Sequence, residues 1–150
     1  MLFRSPYDFF IFDQEFLHVV LWPGHPLSDK SELTLENIKD EALIYYPESF
    51  SLHSYIRSFY QKISARPIII GQTSNWDFMG EMVRTKLGIA LLPQSICNRF
   101  NSTQLKTIPL VEPKIPWTLA MVWKSRGFLS HSTRMWVNSF KEYYKNPRIK

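Results

Sequence analysis

The chain has 150 residues, enough for one domain or for two small lobes that share strands, and its 45% apolar and 21% charged residues exclude a disordered chain. No apolar run reaches the roughly 20 residues of a bilayer span, Met1 to Tyr7 lacks the basic and apolar regions of a secretory signal, and the single Cys97 closes no internal disulfide, so the chain reads as cytoplasmic with no membrane partner. The net charge of +5 is spread thinly, its densest group being Lys141, Lys145, Arg148 and Lys150, and no helix-turn-helix, zinc-finger spacing or aromatic–basic platform accompanies it, which argues against nucleic-acid binding by these residues.

Phe9–Phe12 and Phe16–Trp22 read as two strands, the second leading into the turn Pro23-Gly24-His25-Pro26, where His25 shapes the turn rather than catalysing a reaction. Thr34 caps a short helix that carries Leu35 and Ile38. Ala42-Leu43-Ile44-Tyr45-Tyr46 is a buried strand stopped by Pro47. Leu52, Ile56, Phe59, Tyr60 and Ile63 then recur at helical spacing, with Ser51 as N-cap and His53 exposed or merely packed in the first turn. Pro67-Ile68-Ile69-Ile70 is a second buried strand, with proline tolerated at its first residue.

Trp76, Met79, Met82, Val83 and Leu87 mark another helix, capped by Ser74 or Asn75 and ended by Gly88. Ile89-Ala90-Leu91-Leu92 is a third buried strand, and Pro93 falls where the next helix begins. Trp117 to Trp123 is apolar on nearly every residue, the pattern of a central strand covered on both faces. Only one helix follows, from about Ser130 to Tyr144, with Trp136, Val137, Phe140 and Tyr143 as its inward stripe. One helix cannot cover two faces, so the lobe built from the chain ends reads as incomplete, lacking elements that belong before Met1. The turn at Pro23–Pro26 and the stretch from Pro109 to Pro116 mark the lobe boundaries.

Strands alternating with helices predict an α/β fold with a parallel sheet. Right-handed crossovers place the loops 47–51, 73–75 and 93–95 along one sheet edge, where open α/β sheets bind ligands. Three helix N-termini directed into that crevice favour a small anion such as a carboxylate. Ser49, Phe50, Ser51, Thr73, Ser74, Asn75 and Trp76 are therefore the expected ligand-binding residues, with hydroxyls from Thr73 and Ser74 and an apolar wall from Trp76. Helix capping by Ser74 or Asn75 and core packing by Trp76 and Phe78 explain the same corner without a ligand.

Catalytic patterns are missing. None of His18, His25, His53 and His131 lies four residues from another, so the commonest helical metal spacing is absent. There is no Gly-x-Ser-x-Gly elbow and no phosphate-cradling glycine loop. Cys97 reads as an inert buried thiol, and Asp77 and Glu81 as partners of nearby cations such as Arg84 and Lys86. No catalytic residue, cofactor or metal ligand is assigned, and the chain is not read as an enzyme.

Ser74-Asn75-Trp76-Asp77-Phe78-Met79, Glu81-Met82-Val83 and Leu87-Gly88-Ile89-Ala90-Leu91-Leu92-Pro93 resemble the effector-binding domain of LysR-type transcriptional regulators. So do Pro23-Gly24-His25-Pro26-Leu27 and the closing run from Trp117 to Trp123 with Gly127-Phe128-Leu129-Ser130-His131. The resemblance covers nearly the whole chain and rests on the order and spacing of the motifs. It implies a periplasmic-binding-protein-like fold of type 2, two α/β lobes joined by crossing strands, the first lobe incomplete. Residues 1–23 with 111–150 are then the remnant of lobe one, and 24–110 form lobe two.

It also implies a small-molecule effector in a cleft between the lobes, and a homodimer or tetramer assembled through this domain. Promoter DNA is reached in the family through a winged helix-turn-helix that this chain does not carry before Met1. The rival readings are a stand-alone cytoplasmic solute-binding protein of the same fold and a product that only dimerises.

Overall fold

The computed structural model describes residues 6–125 and 129–145. Met1 to Ser5, the Gly127-Phe128 part of the closing motif, and Arg148 and Lys150 of the basic terminus lie outside the described residues. The chain divides into two compact units, Met1–Gln14 with Thr118–Lys150 and Glu15–Trp117. The element order is β1 (Tyr7–Leu21), β2 (Leu33–Thr34), α1 (Leu35–Ile38), β3 (Ala42–Tyr45), α2 (Ser51–Lys62), β4 (Ile68–Gln72), α3 (Trp76–Arg84), β5 (Ile89–Pro93), α4 (Gln94–Cys97), β6 (Lys106–Glu112), β7 (Pro116–Lys124) and α5 (His131–Lys145). The two strands expected at Phe9–Phe12 and Phe16–Trp22 are one, because the intervening Asp13-Gln14-Glu15 is compatible with extended backbone.

In the unit Glu15–Trp117 the strands lie in the order β2-β6-β1-β5-β3-β4. β3 pairs with both β4 and β5 in parallel, the two βαβ crossovers that the strand–helix alternation predicts. β1 runs antiparallel between β5 and β6, and Leu17 stands opposite Pro93. β5 is buried over its whole length, as a central strand covered on both faces must be. The core gathers Leu17, Val19, Leu43, Ile44, Leu52, Ile56, Tyr60, Met79, Val83 and Leu91, so the helical stripes read from the sequence face inward at these positions.

β4 departs from expectation. Ile68, Ile69 and Ile70 are 48%, 39% and 40% exposed, because β4 ends the strand order and is covered far less than β5. Its β-branched run is the same signal that a central strand gives, and only the strand order separates the two.

Both long helices of this unit end without glycine. Ser64 after α2 and Lys86 after α3 take positive φ of 56° and 61°. Paired backbone bonds close each end: Ala65 N–H to Tyr60 and Ser64 N–H to Gln61, and Leu87 N–H to Met82 and Lys86 N–H to Val83. Gly88 therefore does not stop α3. A Cβ at Gly88 would come within 2.5 Å of the Ala42 carbonyl oxygen, so glycine is required there for close approach of β5 to β3.

At the start of the unit, His25 is buried, its Nδ1 accepts the Leu27 N–H at 3.1 Å and its ring meets Trp22 edge-on, the turn-shaping role expected of it. Thr34 caps α1 through a capping box with Asn37.

In the other unit β1 is joined by β7, and α5 packs its Phe140 ring against Phe10 and Phe12. Lys141 lies over the Trp123 ring at 4.4 Å. β7 is not covered on both faces: Leu119, Met121 and Trp123 are half-buried, while Thr118, Ala120 and Val122 are exposed. Of the expected α5 stripe Val137 is buried and Phe140 half-buried, whereas Trp136 and Tyr143 are exposed. A two-stranded ribbon is too narrow to cover a full helical stripe of large aromatics.

Candidate functional site

The three strand-to-helix corners of the unit Glu15–Trp117 follow β3, β4 and β5, and the strand order β5-β3-β4 sets them side by side. The β3 corner is the most tightly built. Tyr45 Oη donates to the His53 carbonyl at 2.8 Å, and His53 Nδ1 donates to the Tyr46 carbonyl at 2.8 Å, so strand end and first helical turn hold each other. Tyr46 Oη donates to the Leu91 carbonyl at 2.9 Å, fastening the corner to β5. The Phe50 ring stacks on Tyr46 at 5.2 Å with an interplanar angle of 8°. Burial pushes the Tyr45 phenol up to about 12 against the opposing charge of Arg57, and pushes Tyr46 higher still, so both hydroxyls stay neutral donors. His53, expected to be exposed or merely packed, is buried and bonded instead.

α2 begins without a side-chain cap. Its N-cap is Phe50, not Ser51, and the Phe50 side chain accepts nothing. Phe50 N–H donates to Pro47 and His53 N–H to Phe50. The Ser51 and Leu52 N–H groups have no partner among the described residues, so this helix end keeps free donors and the positive end of its dipole. Ser49 and Ser51 are exposed on either side of Phe50.

The β4 corner is capped by side chains, though the Trp76 and Asp77 N–H groups have no partner among the described residues. Asn75 caps α3, accepting the Phe78 N–H at 3.0 Å, and Thr73 Oγ1 accepts the Asn75 N–H at 3.1 Å. Ser74 is exposed. Trp76 packs partly against the core, while Phe78 is exposed, so only one of the two aromatics supports the packing account. The Trp76 indole N–H is buried without a partner of good geometry, though it stands near enough to the Tyr46 hydroxyl to offset slightly the effect of burial there.

At the β5 corner Pro93 ends the strand and is the N-cap of α4 rather than its first helical residue, with φ −57° and ψ 145°. A proline side chain caps nothing. The carboxylate of Glu15 does so instead, accepting the Ser95 N–H at 2.7 Å on Oε2 and the Ser95 Oγ–H at 2.7 Å on Oε1. Cys97, buried in α4, has its thiol pushed up to about 12 by burial and donates weakly to the Leu92 carbonyl at 3.7 Å, which matches an inert thiol. The carboxylates of α3 are engaged by cations, Glu81 by Arg84, and Asp77 by Arg99 at 3.6 Å.

Sequence reasoning missed Tyr45, Tyr46, His53 and Glu15. The Tyr-Tyr-Pro end of the strand and a histidine two residues into a helix were the available signals for the first three. Glu15 has none, since it lies 80 residues from Ser95 in the chain.

A surface hollow of about 250 Å³ lies at the far end of α2, between Arg57 and Arg66. Another of about 130 Å³ lies beside α3 at Gly80 and Phe100. Among the described residues no group of His, Cys, Asp and Glu is arranged to hold a metal ion, and no helix is long and apolar enough to cross a membrane.

The family model described as LysR substrate binding domain matches residues 7–145. The uncharacterized HTH-type transcriptional regulator YwbI of Bacillus subtilis is 43% identical over 135 residues, 90% of this chain and 45% of that protein. The chain thus spans less than half the length of that relative. The effector binding domain of QuiR in complex with shikimate superposes with a TM-score of 0.80 at 20% identity, covering 93% of this chain and 66% of that one. The Synechocystis CcmR regulatory domain in complex with 2-PG gives a TM-score of 0.82 at 16% identity, covering 97% and 71%. These structures share the fold, the periplasmic-binding-protein-like architecture that the sequence motifs imply.

Proposed function

This chain belongs to the LysR substrate binding domain family, an effector-sensing regulatory domain of transcriptional regulators rather than of an enzyme family, and on that premise we propose that its strand-end crevice binds a small effector carrying an anionic group. The observation that carries the reading is the open N-terminus of α2. Phe50 stands where a capping side chain normally sits, leaving the Ser51 and Leu52 N–H groups free. A carboxylate there takes two backbone donors, with the hydroxyls of Ser49 and Ser51 beside it. The Tyr46–Phe50 stack and Trp76 offer an apolar wall for the remainder of the ligand. Thr73, Ser74 and Asn75 add polar contacts from the neighbouring corner, Thr73 and Asn75 with part of their bonding capacity already committed to α3. The QuiR and CcmR domains are named in complex with small ligands, shikimate and 2-PG.

Effector binding in this reading biases domain geometry. Assembly into a dimer or tetramer, promoter contact through a winged helix-turn-helix, and cytoplasmic location belong to the same proposal for the whole regulator.

Ser51→Pro tests it. Ser51 is the first helical residue, where proline is favoured, and Phe50 before it is already extended at φ −97° and ψ 131°. The substitution removes one free N–H without breaking the helix. In a thermal-shift screen of small carboxylates, wild type is expected to gain melting temperature with at least one acid. S51P should lose that gain while its ligand-free melting temperature stays within about 2 °C. No stabilising acid for wild type, or equal stabilisation of S51P, removes the basis of the reading.

A further inference from the structure

The β5 corner differs from the other two in being filled by the chain's own carboxylate. Leu17 stands opposite Pro93 in the antiparallel β1–β5 pair, so Glu15 overruns the end of β5 and reaches the edge that carries the other corners. Two short bonds to Ser95 hold both its oxygens. Neighbouring strands lie about 4.8 Å apart, so from the β5 corner, where Ser95 holds the carboxylate, the β3 and β4 corners are roughly 5 and 10 Å away laterally, about one Debye length at physiological salt.

The charges of the three corners are one-sided. No Lys or Arg occurs in 47–51, 72–76 or 93–95. Glu48 is an exposed carboxylate in the first of them, and Asp77, in the first turn of α3, is offset by Arg99. His18 on β1 is near Glu15, but burial lowers its pKa from the ordinary value despite the opposing effects of the Phe16 backbone and Glu15, so it brings little positive charge at neutral pH. Positive potential therefore comes from the backbone N–H groups at the starts of α2 and α3, with Arg57 of α2 acting on Tyr45 from outside the corner loops. Negative potential is fixed at Glu15.

We infer that Glu15 is a specificity-determining residue: its carboxylate, anchored on Ser95, limits the effector to one anionic group and requires the rest of the ligand to be neutral. The inference rests on the reading that the crevice binds an effector. A second carboxylate about 8 Å from Glu15 is disfavoured on the order of two- to thirtyfold, depending on how much solvent lies between.

Affinities of matched acids of one skeleton, benzoate against phthalate and propionate against succinate, test it by calorimetry on the 150-residue chain at low ionic strength. Wild type is expected to favour the monoacid. Glu15→Gln keeps an acceptor for Ser95 and removes the charge, so its diacid-to-monoacid affinity ratio should rise about threefold or more. Ser95→Ala drops one bond but keeps the charge, and its ratio should stay near wild type. Melting temperatures of both variants show whether α4 is retained. An E15Q ratio equal to wild type, with at least one acid bound, overturns the role of Glu15 and leaves the effector reading standing. Binding of no acid by any of the three proteins overturns both.

Discussion

Gly88→Ala places one methyl group where the sheet has no room. The added Cβ would lie 2.5 Å from the Ala42 carbonyl oxygen, 2.9 Å from Ile70 Cδ1 and 3.1 Å from the Ala42 carbonyl carbon. Two of these three atoms are backbone, and Ala42 is held in β3 by its pairing opposite Ile68 of β4. The strand cannot retreat without stretching a ladder, so relief must come from displacing β5 against β3. Overpacking of this kind costs about 1–3 kcal/mol or more, and reduced freedom of the unfolded chain returns about 0.4–1 kcal/mol. A net loss of about 1–2 kcal/mol lowers the melting temperature by roughly 3–8 °C in a chain of this size. Gly71→Ala is the control, because its Cβ would meet only the Met82 Cε at 2.7 Å, the end of a flexible side chain that can turn away. Thermal and urea unfolding followed by circular dichroism measure both variants. G88A as stable as wild type, or no less stable than G71A, refutes the close-approach account.

Lys86→Gly should raise stability by about 0.5–1 kcal/mol, since Lys86 holds a φ of 61° that glycine adopts without strain; an unchanged or lower urea midpoint contradicts this. Thr73→Ala removes the acceptor for the Asn75 N–H and should cost about 0.5–1.5 kcal/mol. Ser74→Ala, at an exposed position, should leave stability within about 0.5 kcal/mol. If both nonetheless weaken carboxylate binding, ligand contact is separate from capping, whereas equal losses of stability and binding in both favour capping alone. At high pH the chain should lose stability. Burial raises the folded-state pKa of Tyr45 and Cys97 to about 12 from ordinary values of 10.0 and 9.0, and raises Tyr46 and Tyr60 further. Groups raised in the folded state contribute fully below their unfolded values and lose that contribution as pH climbs through the folded ones. The melting temperature should therefore fall steadily from about pH 9 upward, with the tyrosinate absorbance of three of the seven tyrosines appearing only as the chain unfolds.

The elements that periodicity marks strongly were legible. Leu52, Ile56 and Tyr60 at helical spacing do line the inner face of α2, and Ile89–Leu92 is a buried strand. Capping chemistry was legible in part: Thr34 and Asn75 accept the bonds their side chains suit, whereas Ser51 is not the N-cap of α2 and Gly88 does not end α3. What failed were judgements of rank within the sheet. Ile68-Ile69-Ile70 carries the composition of a central strand yet lies at the end of the strand order, and Trp117–Trp123 lies off that order, paired with β1. Composition records what a strand is able to bury, whereas the strand order decides what covers it.

The candidate site divides in the same way. Sequence alone placed three corners along one sheet edge, because alternating strands and helices with right-handed crossovers leave few other arrangements. It also named the polar residues at those corners. Only the tertiary structure separated them by what caps them: Thr73 and Asn75 at the β4 corner, Glu15 at the β5 corner, and no side chain at the β3 corner, where Phe50 is the N-cap. That outcome depends on β1 running past the end of β5, which brings together residues 80 positions apart. Local pattern carries information over a few residues, and a contact of that span is set by the packing of the whole sheet.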